Sequence, residues 1–366
     1  MKITCDRQIL SDALSVVSRA VSTKSSMPAL QGILIKAWDG LFLSAYDLEL
    51  GITTAIPASV DEPGEIVLDA QLFVDIIRKL PAERVEISSD DKLMTTILCG
   101  TSEFTLLGTP ANDFPEIPVL GTGTVFELPQ NMLKSMIRQT LFSVAVGDAK
   151  PIQTGVLFEL AAGILKLVSV DGYRLALRSE KVNCDEKISF VVPGKTLNEI
   201  EKLLGIEDEP IRISSTKKQI LFELKNFSFI SRLLEGEFID YNNAIPKESK
   251  TEIIVKTREI SNSVERASLL ISDRLKSPVK MIIDDEKIEI LCTTAIGKIH
   301  DVIDAKIKGN LFEIGFNNKY LIDALKATDC DEIRLILNGP LSPMKILPPK
   351  DEDFIFLVLP VRLKNE

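Results

Sequence analysis

Histidine and cysteine are scarce in this sequence, and the few that occur stand far apart. Of the 366 residues one is a histidine, His300, and five are cysteines, namely Cys5, Cys99, Cys184, Cys292 and Cys330. No two cysteines form a CxxC pair, and no partner stands at a telling spacing from His300. A zinc site, a Ser-His-Asp triad or a Cys-His pair would need such a spacing. We therefore expect no metal site and no disulfide framework, with the thiols buried and reduced.

Long apolar runs and phosphate-binding or catalytic motifs are missing as well. No run of 18 apolar residues occurs, which argues against a membrane-spanning helix. The first six residues, MKITCD, contain no apolar signal core. The sequence has no GxGxxG or GxxxxGK[ST] loop, no HExxH and no GxSxG. We expect a cytoplasmic protein with no catalytic residues, no cofactor and no membrane partner, and this absence of chemistry favours a binding or scaffold role.

Charge is distributed unevenly along the chain. The formal net charge is −10, which argues against indiscriminate binding of nucleic acid over the whole surface. Six amphipathic segments, at 7–19, 70–80, 131–140, 194–204, 257–272 and 318–327, nevertheless carry twelve Lys or Arg against seven Asp or Glu. Solvated helix faces often carry Lys and Arg. The concentration of positive charge on these segments still favours a protein with one face that tolerates a polyanion and a remaining surface that repels it.

The strongest pattern is an internal threefold repeat. Apolar residues at helical spacing predict a first helix in each unit, with inward faces formed by Ile9, Leu10, Ala13, Leu14 and Val17, then Met132, Leu133, Met136 and Ile137, then Ile260, Val264, Ala267 and Ile271. A second helix begins at Ala70, Gly194 and Asn318, 124 residues apart in both steps. Hairpin turns at 39–40, 162–163 and near 285 repeat with a period of 123.

Each unit returns to strands after its second helix, as alternating and β-branched residues indicate. Clusters of Pro, Gly and Thr at 118–124 and of polar residues at 246–251 mark the boundaries. The prediction is an α+β chain of three repeated domains, at 1–121, 122–248 and 249–366.

One stretch stands out, with the sequence LVSVDGYRLAL at 167–177. It predicts a strand, a tight turn at Asp171-Gly172 and a second strand, flanked by Tyr173 and Arg174. Taken alone, an Asp-Gly pair between apolar runs is usually only a hairpin turn.

Together with the repeats and the charge pattern, this stretch resembles the bacterial sliding clamp, the β subunit of the replicative DNA polymerase. The resemblance covers the whole chain. Its most specific elements are DGYRLA at 171–176 and the ending LPVRL at 359–363. More modest ones are MKI at 1–3, MPAL at 27–30, DFP at 113–115 and GEFIDY at 236–241.

The resemblance implies a fold and a function. Each clamp domain has two helices packed on antiparallel sheets, and two subunits join head to tail into a ring with the helices inside. Such a homodimer encloses double-stranded DNA without reading its sequence and tethers the polymerase as a non-catalytic processivity factor. Leu269 and Leu270 resemble apolar residues that the family uses where domain one meets domain three of the other subunit. An ordinary place in the domain core is the alternative for these two.

The resemblance and the helix charges together give a set of expected DNA-facing residues. Lys24 and Lys150 align with basic loop positions that the family points at DNA. The other members lie on the predicted helices, and the full set is Lys24, Arg78, Lys79, Lys134, Arg138, Lys150, Lys195, Lys202, Lys319 and Lys326.

The resemblance also implies a pocket for short linear peptides of the polymerase catalytic subunit, the clamp loader and repair proteins. The matching positions are Gln153, Gly155, Val170, Gly172, Tyr173, Arg174, Leu175, Asn243, Leu341, Pro343, Leu357, Leu359, Pro360, Val361 and Arg362. Apolar residues would form the floor, and Tyr173 and Arg174 would offer polar handles. The chain departs from many relatives at Asn242-Asn243, where they have a basic residue, and in the extension at 364–366.

Two alternatives remain open from the residues alone. One is a DNA repair or modification enzyme built on repeated α+β units, which would need a catalytic constellation. The other is a repeat scaffold that binds proteins without enclosing DNA, against which the helix charge bias argues weakly.

Overall fold

The structure, a computed structural model, describes residues 1–22, 24–147, 150–272 and 277–363. The expected C-terminal extension at 364–366 lies outside the described residues. Six α-helices run through the described residues: α1 (Arg7–Val17), α2 (Ala70–Lys79), α3 (Gln130–Leu141), α4 (Gly194–Glu201), α5 (Thr257–Ser268) and α6 (Asn318–Ala327). Short 3₁₀ helices lie at Ser18–Ala20, Pro28–Gln31, Ala111–Asp113, Pro151–Thr154 and Tyr241–Ala244. No helix in the described ranges is long and apolar enough to cross a membrane.

Strands fill most of the remaining chain. The first repeat contains β1 (Lys2–Asp6), β2 (Gly32–Ala37), β3 (Leu41–Tyr46), β4 (Leu50–Ile56), β5 (Ala58–Glu62), β6 (Gly64–Asp69), β7 (Arg84–Ser89), β8 (Met94–Cys99) and β9 (Ser102–Leu107). The second contains β10 (Thr124–Pro129), β11 (Gly155–Ala161), β12 (Ile164–Val170), β13 (Arg174–Lys181), β14 (Ile188–Pro193), β15 (Pro210–Ser215), β16 (Gln219–Leu224) and β17 (Phe227–Arg232). The third contains β18 (Thr251–Lys256), β19 (Val279–Asp284), β20 (Lys287–Thr294), β21 (Gly297–Asp304), β22 (Lys306–Gly309), β23 (Phe312–Phe316), β24 (Glu332–Leu337), β25 (Met344–Leu347), β26 (Phe354–Val358) and β27 (Pro360–Val361).

Five of these helices begin at the residue that follows a strand, and α6 begins one residue later, after Asn317, so a similar strand–helix junction occurs six times. Side chains cap three of these junctions. Asp6 accepts from the backbone N–H of Ile9 at 2.9 Å, Asp69 does the same for Leu72 at 2.8 Å, and Asn317 caps the start of α6. Such caps satisfy N–H groups that have no partner within the helix. The starts of α2, α4 and α6 lie 124 residues apart, as the sequence predicts.

The chain forms two compact units. The first comprises Met1–Asn131 and Glu199–Leu233. It holds a five-stranded sheet, β5-β1-β7-β8-β9, and an eight-stranded sheet, β10-β15-β16-β17-β4-β3-β2-β6. The eight-stranded sheet joins strands of two repeats through the antiparallel pair β17–β4, where Phe229 lies opposite Ile52.

The second unit comprises Met132–Asn198 and Leu234–Glu366. Its sheets are nine-stranded, β14-β11-β12-β13-β26-β25-β24-β18-β22, and five-stranded, β21-β20-β19-β23-β27. The larger sheet again joins two repeats, here through the antiparallel pair β13–β26, where Ala176 lies opposite Phe356. All of the ladders between these strands are antiparallel, which confirms the predicted α+β class.

The predicted helix faces are largely confirmed. Leu10, Ala13, Leu14 and Val17 are buried, as are Leu133, Met136 and Ile137, and Ile260, Val264 and Ala267. The prediction is wrong for Ile9, which is 44% exposed because the buried stripe of α1 begins one residue later. Met132 is only half-buried, and Ile271 follows α5 rather than lying within it.

Candidate functional site

The candidate site begins at the turn that joins β12 to β13. One oxygen of the Asp171 carboxylate accepts from the backbone N–H groups of Tyr173 at 2.9 Å and Arg174 at 3.0 Å. Gly172 adopts a φ of +90°, which a residue without a side chain reaches at no steric cost. The predicted hairpin turn is thus confirmed, and its shape is fixed by an aspartate folding back on its own backbone.

The C-terminal strand lies directly beside this turn. In the β13–β26 ladder Leu175 lies opposite Leu357. Beyond the ladder, the backbone N–H of Leu359 donates to the carbonyl oxygen of Tyr173 at 2.9 Å. The structure therefore brings together the two stretches that sequence analysis assigned to one pocket, although about 185 residues separate them.

Side chains on one face of this sheet form a buried apolar cluster. Val170, Leu175 and Leu357 belong to it and are 6%, 3% and 2% exposed. The segment from 234 to 245 packs over the same cluster through Leu234, Phe238, Tyr241 and Ile245. The Tyr241 hydroxyl donates to the carboxylate of Glu159, and burial, together with this carboxylate, raises the pKa of Tyr241. Three of the apolar residues predicted for the floor, namely Val170, Leu175 and Leu357, are therefore core residues.

Several other predicted pocket residues expose large apolar surfaces. Tyr173 is 60% exposed, Leu359 41%, Val361 40% and Leu341 70%. Tyr173 and Leu359 are joined by the backbone hydrogen bond above, and Val361 pairs with Gly315 on β23. Exposed aromatic and aliphatic side chains beside a buried apolar floor offer a partner contact area that water does not solvate well.

Arg174, for which the resemblance predicts the role of a polar handle, is bound by groups of its own chain. Its side chain is only 11% exposed, and its Nε donates to Asp171 at 2.9 Å. Its Nη1 donates to Asp323 of α6 at 2.5 Å. The guanidinium lies over the ring of Tyr320 at 4.6 Å and over that of Phe142 at 5.6 Å. This arginine is occupied by groups of its own chain.

The remaining predicted pocket residues have varied surroundings. Gln153 is buried, and its backbone carbonyl oxygen accepts from the backbone N–H of Ala145 at 2.8 Å. At Gly155 a Cβ atom would come within 2.6 Å of the Val192 carbonyl, so the close strand contact requires glycine. Asn243 is exposed and donates to Asp240 at 2.7 Å. Pro343 and Pro360 are half-buried, and Arg362 is exposed.

Sequence reasoning missed the residues that hold Arg174, above all Tyr320 and Asp323. A signal for Asp323 existed. The sixth residue of each second helix is acidic, as Asp75, Glu199 and Asp323, spaced by the same 124 residues as the helices. Glu199 also binds an arginine from the preceding repeat, since Arg19 donates to it at 2.9 Å.

The predicted DNA-facing cations lie mostly on exposed helix surfaces, and several have acidic neighbours. Arg78 pairs with Asp75, Lys202 pairs with Glu199 at 2.8 Å, and Lys326 pairs with Glu265 at 2.8 Å. The hydrogen bond from Lys326 to Glu265 raises the pKa of this lysine. Exposed members of the set are Lys24, Arg78, Lys79, Arg138, Lys150, Lys195, Lys202, Lys319 and Lys326, and Lys134 is half-buried.

The predicted joint residues lie just after α5. Leu269 is 82% exposed and Leu270 is half-buried. Leu270 approaches Gly297, the first residue of β21, and the neighbouring Ile296 is 70% exposed. The alternative reading, an ordinary core position, does not describe Leu269.

Family profiles for three domains of one protein match most of the chain in sequence order. They are the N-terminal domain of the DNA polymerase III beta subunit at residues 1–118, its central domain at 127–240 and its C-terminal domain at 242–362. In the described ranges no group of three or more His, Cys, Asp or Glu could hold a metal ion.

Relatives and solved structures agree with these profiles. The beta sliding clamp of Bacillus subtilis (strain 168) is 38% identical over 376 residues, covering 99% of this chain and 100% of the relative. That of Staphylococcus aureus (strain N315) is 33% identical over 374 residues, covering 99% of each chain. A crystal structure of the Bacillus subtilis DNA polymerase sliding clamp superposes with a TM-score of 0.97 at 37% identity and full coverage of both chains. A crystal structure of a Pseudomonas aeruginosa sliding clamp bound to griselimycin superposes with a TM-score of 0.94 at 27% identity. The match covers 99% of this chain and 100% of that chain. The chain therefore belongs to the family of bacterial beta sliding clamps, the beta subunits of DNA polymerase III.

Proposed function

We propose that two copies of this chain close head to tail into a ring that encloses duplex DNA and tethers the replicative polymerase, the clamp loader and repair proteins. Its three domains would span 1–121, 122–248 and 249–366. The chain would perform no reaction of its own and would work where the bacterial chromosome lies, in the cytoplasm. Membership of the sliding clamp family supports this function.

A regularity in strand pairing carries the proposal of a closed homodimer. In the β17–β4 ladder the first residue of β4, Leu50, lies opposite the fifth residue of β17, Ser231. In the β13–β26 ladder the first residue of β13, Arg174, lies opposite the fifth residue of β26, Val358. Two junctions between repeats thus use one register.

The corresponding strands at the ends of the repeat array are unpaired edges. One is β21, which is equivalent in its repeat to β4 and β13. The other is β9, which is equivalent to β17 and β26. Applying the same register places Gly297 of one copy opposite Leu106 of the other, and Ile299 opposite Phe104. Unpaired edges are liabilities that proteins cover or pair. Pairing β21 with β9 of a second copy would pair both.

The third residue of β9, β17 and β26 is a phenylalanine in each case, namely Phe104, Phe229 and Phe356. Phe229 and Phe356 lie in junctions between repeats and are 1% and 0% exposed. Phe104 has no neighbouring strand on its outer side and is 40% exposed. In the proposed joint, Phe104 of one copy would be covered by an apolar surface of the other copy. That surface would be formed by Leu269, Leu270 and Ile296.

The enclosed DNA would be held by phosphate contacts that carry no sequence information. The exposed lysines and arginines of the helices would provide them. Because several of these cations are paired with carboxylates, each contact is weak and readily exchanged. We expect binding to short linear duplexes to be weak, insensitive to sequence and strongly reduced by salt.

Retention on circular DNA tests enclosure directly. The protein is loaded by a clamp loader onto a nicked circle, and the bound fraction is followed after a restriction enzyme cuts the circle. A ring stays on the intact circle and leaves once free ends exist. Equal retention on circular and linear DNA would contradict enclosure and favour a scaffold that binds proteins alone.

The turn at 171–174, the end of β26 and the exposed side chains beside them would bind short peptides of partner proteins. The expected peptide contains a glutamine, then an aliphatic residue, then a Leu-Phe-like pair. Burying two or three such side chains offers several kcal/mol before ordering costs, in keeping with micromolar dissociation constants.

A further inference from the structure

Helix α6 reaches the proposed peptide site through one ion pair. Asp323, the sixth residue of α6, accepts from Arg174 at 2.5 Å, and its own side chain is 43% exposed. The second guanidinium contact, to Asp171, comes from the turn itself. Arg174 thereby bridges a residue of the turn and a residue of a helix in the next repeat.

Aromatic rings reinforce the same bridge. Tyr320 lies one helical turn before Asp323, and Arg174 lies over its ring at 4.6 Å. On the other side of the turn the ring of Tyr173 stacks on Tyr320, with 5.7 Å between centroids. A guanidinium over an aromatic ring and two carboxylates form an arrangement with little freedom to move.

The bridge sets the position of two exposed side chains of the site, those of Tyr173 and Leu359. Asp171 shapes the turn that presents Tyr173, and the carbonyl of Tyr173 holds the backbone N–H of Leu359. An arginine whose side chain is 11% exposed and already bound to two carboxylates has little accessible surface to offer an incoming peptide. Its contribution to binding must therefore act through the turn.

We propose that Asp323 is a positioning residue for the peptide site, which it orders through Arg174, and that Arg174 itself does not recognise the peptide. This inference rests on the proposed peptide-binding function. It assigns a role in partner binding to α6, the helix that also carries the predicted DNA-facing residues Lys319 and Lys326.

A double-mutant cycle tests the proposal. The probe is a fluorescein-labelled peptide with a glutamine, an aliphatic residue and a Leu-Phe pair, titrated with the full-length protein. Asp323→Asn and Arg174→Gln should each weaken binding by roughly three- to tenfold, and the double variant should bind no more weakly than the poorer single variant. Asp323→Glu should restore part of the loss. Glu265→Gln, which removes the ion pair between α5 and Lys326 of α6, should bind as the wild type does.

Other outcomes would overturn the proposal. If Asp323→Asn binds as tightly as the wild type, or if the two losses multiply in the double variant, Arg174 contacts the peptide directly and Asp323 is a bystander. Hydrogen exchange gives a readout that needs no peptide, because Asp323→Asn should speed exchange at the Leu359 amide. Unchanged exchange there contradicts the positioning role. Absence of saturable binding by the wild type would instead reject the peptide site.

Discussion

The carbonyl oxygen of Tyr173 accepts a hydrogen bond from the backbone N–H of Leu359 at 2.9 Å. This bond joins the conspicuous turn of the middle repeat to the last strands of the chain. Because both side chains are exposed beside a buried apolar floor, the bond locates the surface on which mutation should affect partner binding without disturbing the core.

Leu359→Ala should weaken binding of the Leu-Phe peptide about tenfold, since a buried aliphatic contact is worth about 1–2 kcal/mol. Fluorescence titration measures the dissociation constant, and sedimentation should show an unchanged dimer.

Leu175→Ala should also lose peptide binding, but Leu175 is 3% exposed, so this variant should lose about 2–5 kcal/mol of stability as well. Deleting 359–366 should abolish binding because it removes the β27–β23 pair too. Wild-type affinity in Leu359→Ala would contradict the assigned site.

Leu270→Lys should weaken the homodimer, because it places a charge in an apolar joint. Sedimentation of the wild type at micromolar concentration should give twice the chain mass of 40.5 kDa, whereas the variant should shift toward the monomer. Ile164→Lys is the control, since Ile164 is a 39% exposed apolar residue of the middle repeat and is not part of the proposed joint. A wild type that stays monomeric at tens of micromolar would reject the closed ring.

Cysteine cross-linking tests the register proposed for the joint. With that register His300 of one copy lies opposite Glu103 of the other, with their side chains on one face. A protein carrying both Glu103→Cys and His300→Cys should form disulfide-linked dimers on mild oxidation, since directly opposed residues have Cα atoms within reach of a disulfide. The single variants serve as controls. Moving the second cysteine to Lys298 should slow the reaction, and equally fast cross-linking there would contradict the register.

Glu199 should contribute stability that depends on pH. Burial raises the pKa of Glu199, but the hydrogen bonds from Lys202 and Arg19 outweigh burial, and the net direction is downward. A lowered pKa in the folded state means that the ionised side chain stabilises the fold above the ordinary value of 4.5, and that this contribution disappears as the pH falls through the folded value.

Glu199→Gln should therefore lower the free energy of unfolding by about 1 kcal/mol at pH 7, with the gap to the wild type closing below pH 4.5. Urea unfolding at a series of pH values measures it. The exposed Glu207→Gln variant is the control and should show little change. A gap that persists undiminished at pH 3 would show that packing, rather than charge, accounts for the loss.

The sequence predicted most of the local structure because the signals are local. Apolar spacing located the six helices, and Asp-Gly or Ala-Gly pairs located hairpin turns, including the one at Ala162-Gly163, where both residues adopt a positive φ. The repeat period followed from the same signals. Ile9 was misplaced because a helical stripe has edges, and periodicity alone does not say where the buried arc stops.

Contacts between distant residues were beyond this reasoning. The pairing of Leu175 with Leu357 came only from resemblance to a known family, since nothing in either strand specifies its neighbour. The partner of Arg174 was missed altogether, because Asp323 is 149 residues away and looks like an ordinary surface charge in the sequence. Burial of the predicted floor residues likewise depends on the segment from 234 to 245, which has few regular elements of its own.

Two of the edge strands, β9 and β21, have a further consequence. Edges that pair in a fixed register contain no signal that ends growth, so copies could keep adding in an open filament unless the array bends enough to meet itself. The addition of further copies must therefore be ended by the angle between successive repeats, which closes the array. Insertions in the boundary segments at 118–124 or 246–251 would change that angle while leaving every edge intact. Altered stoichiometry or fibres, rather than unfolded protein, would be the expected defect of such variants.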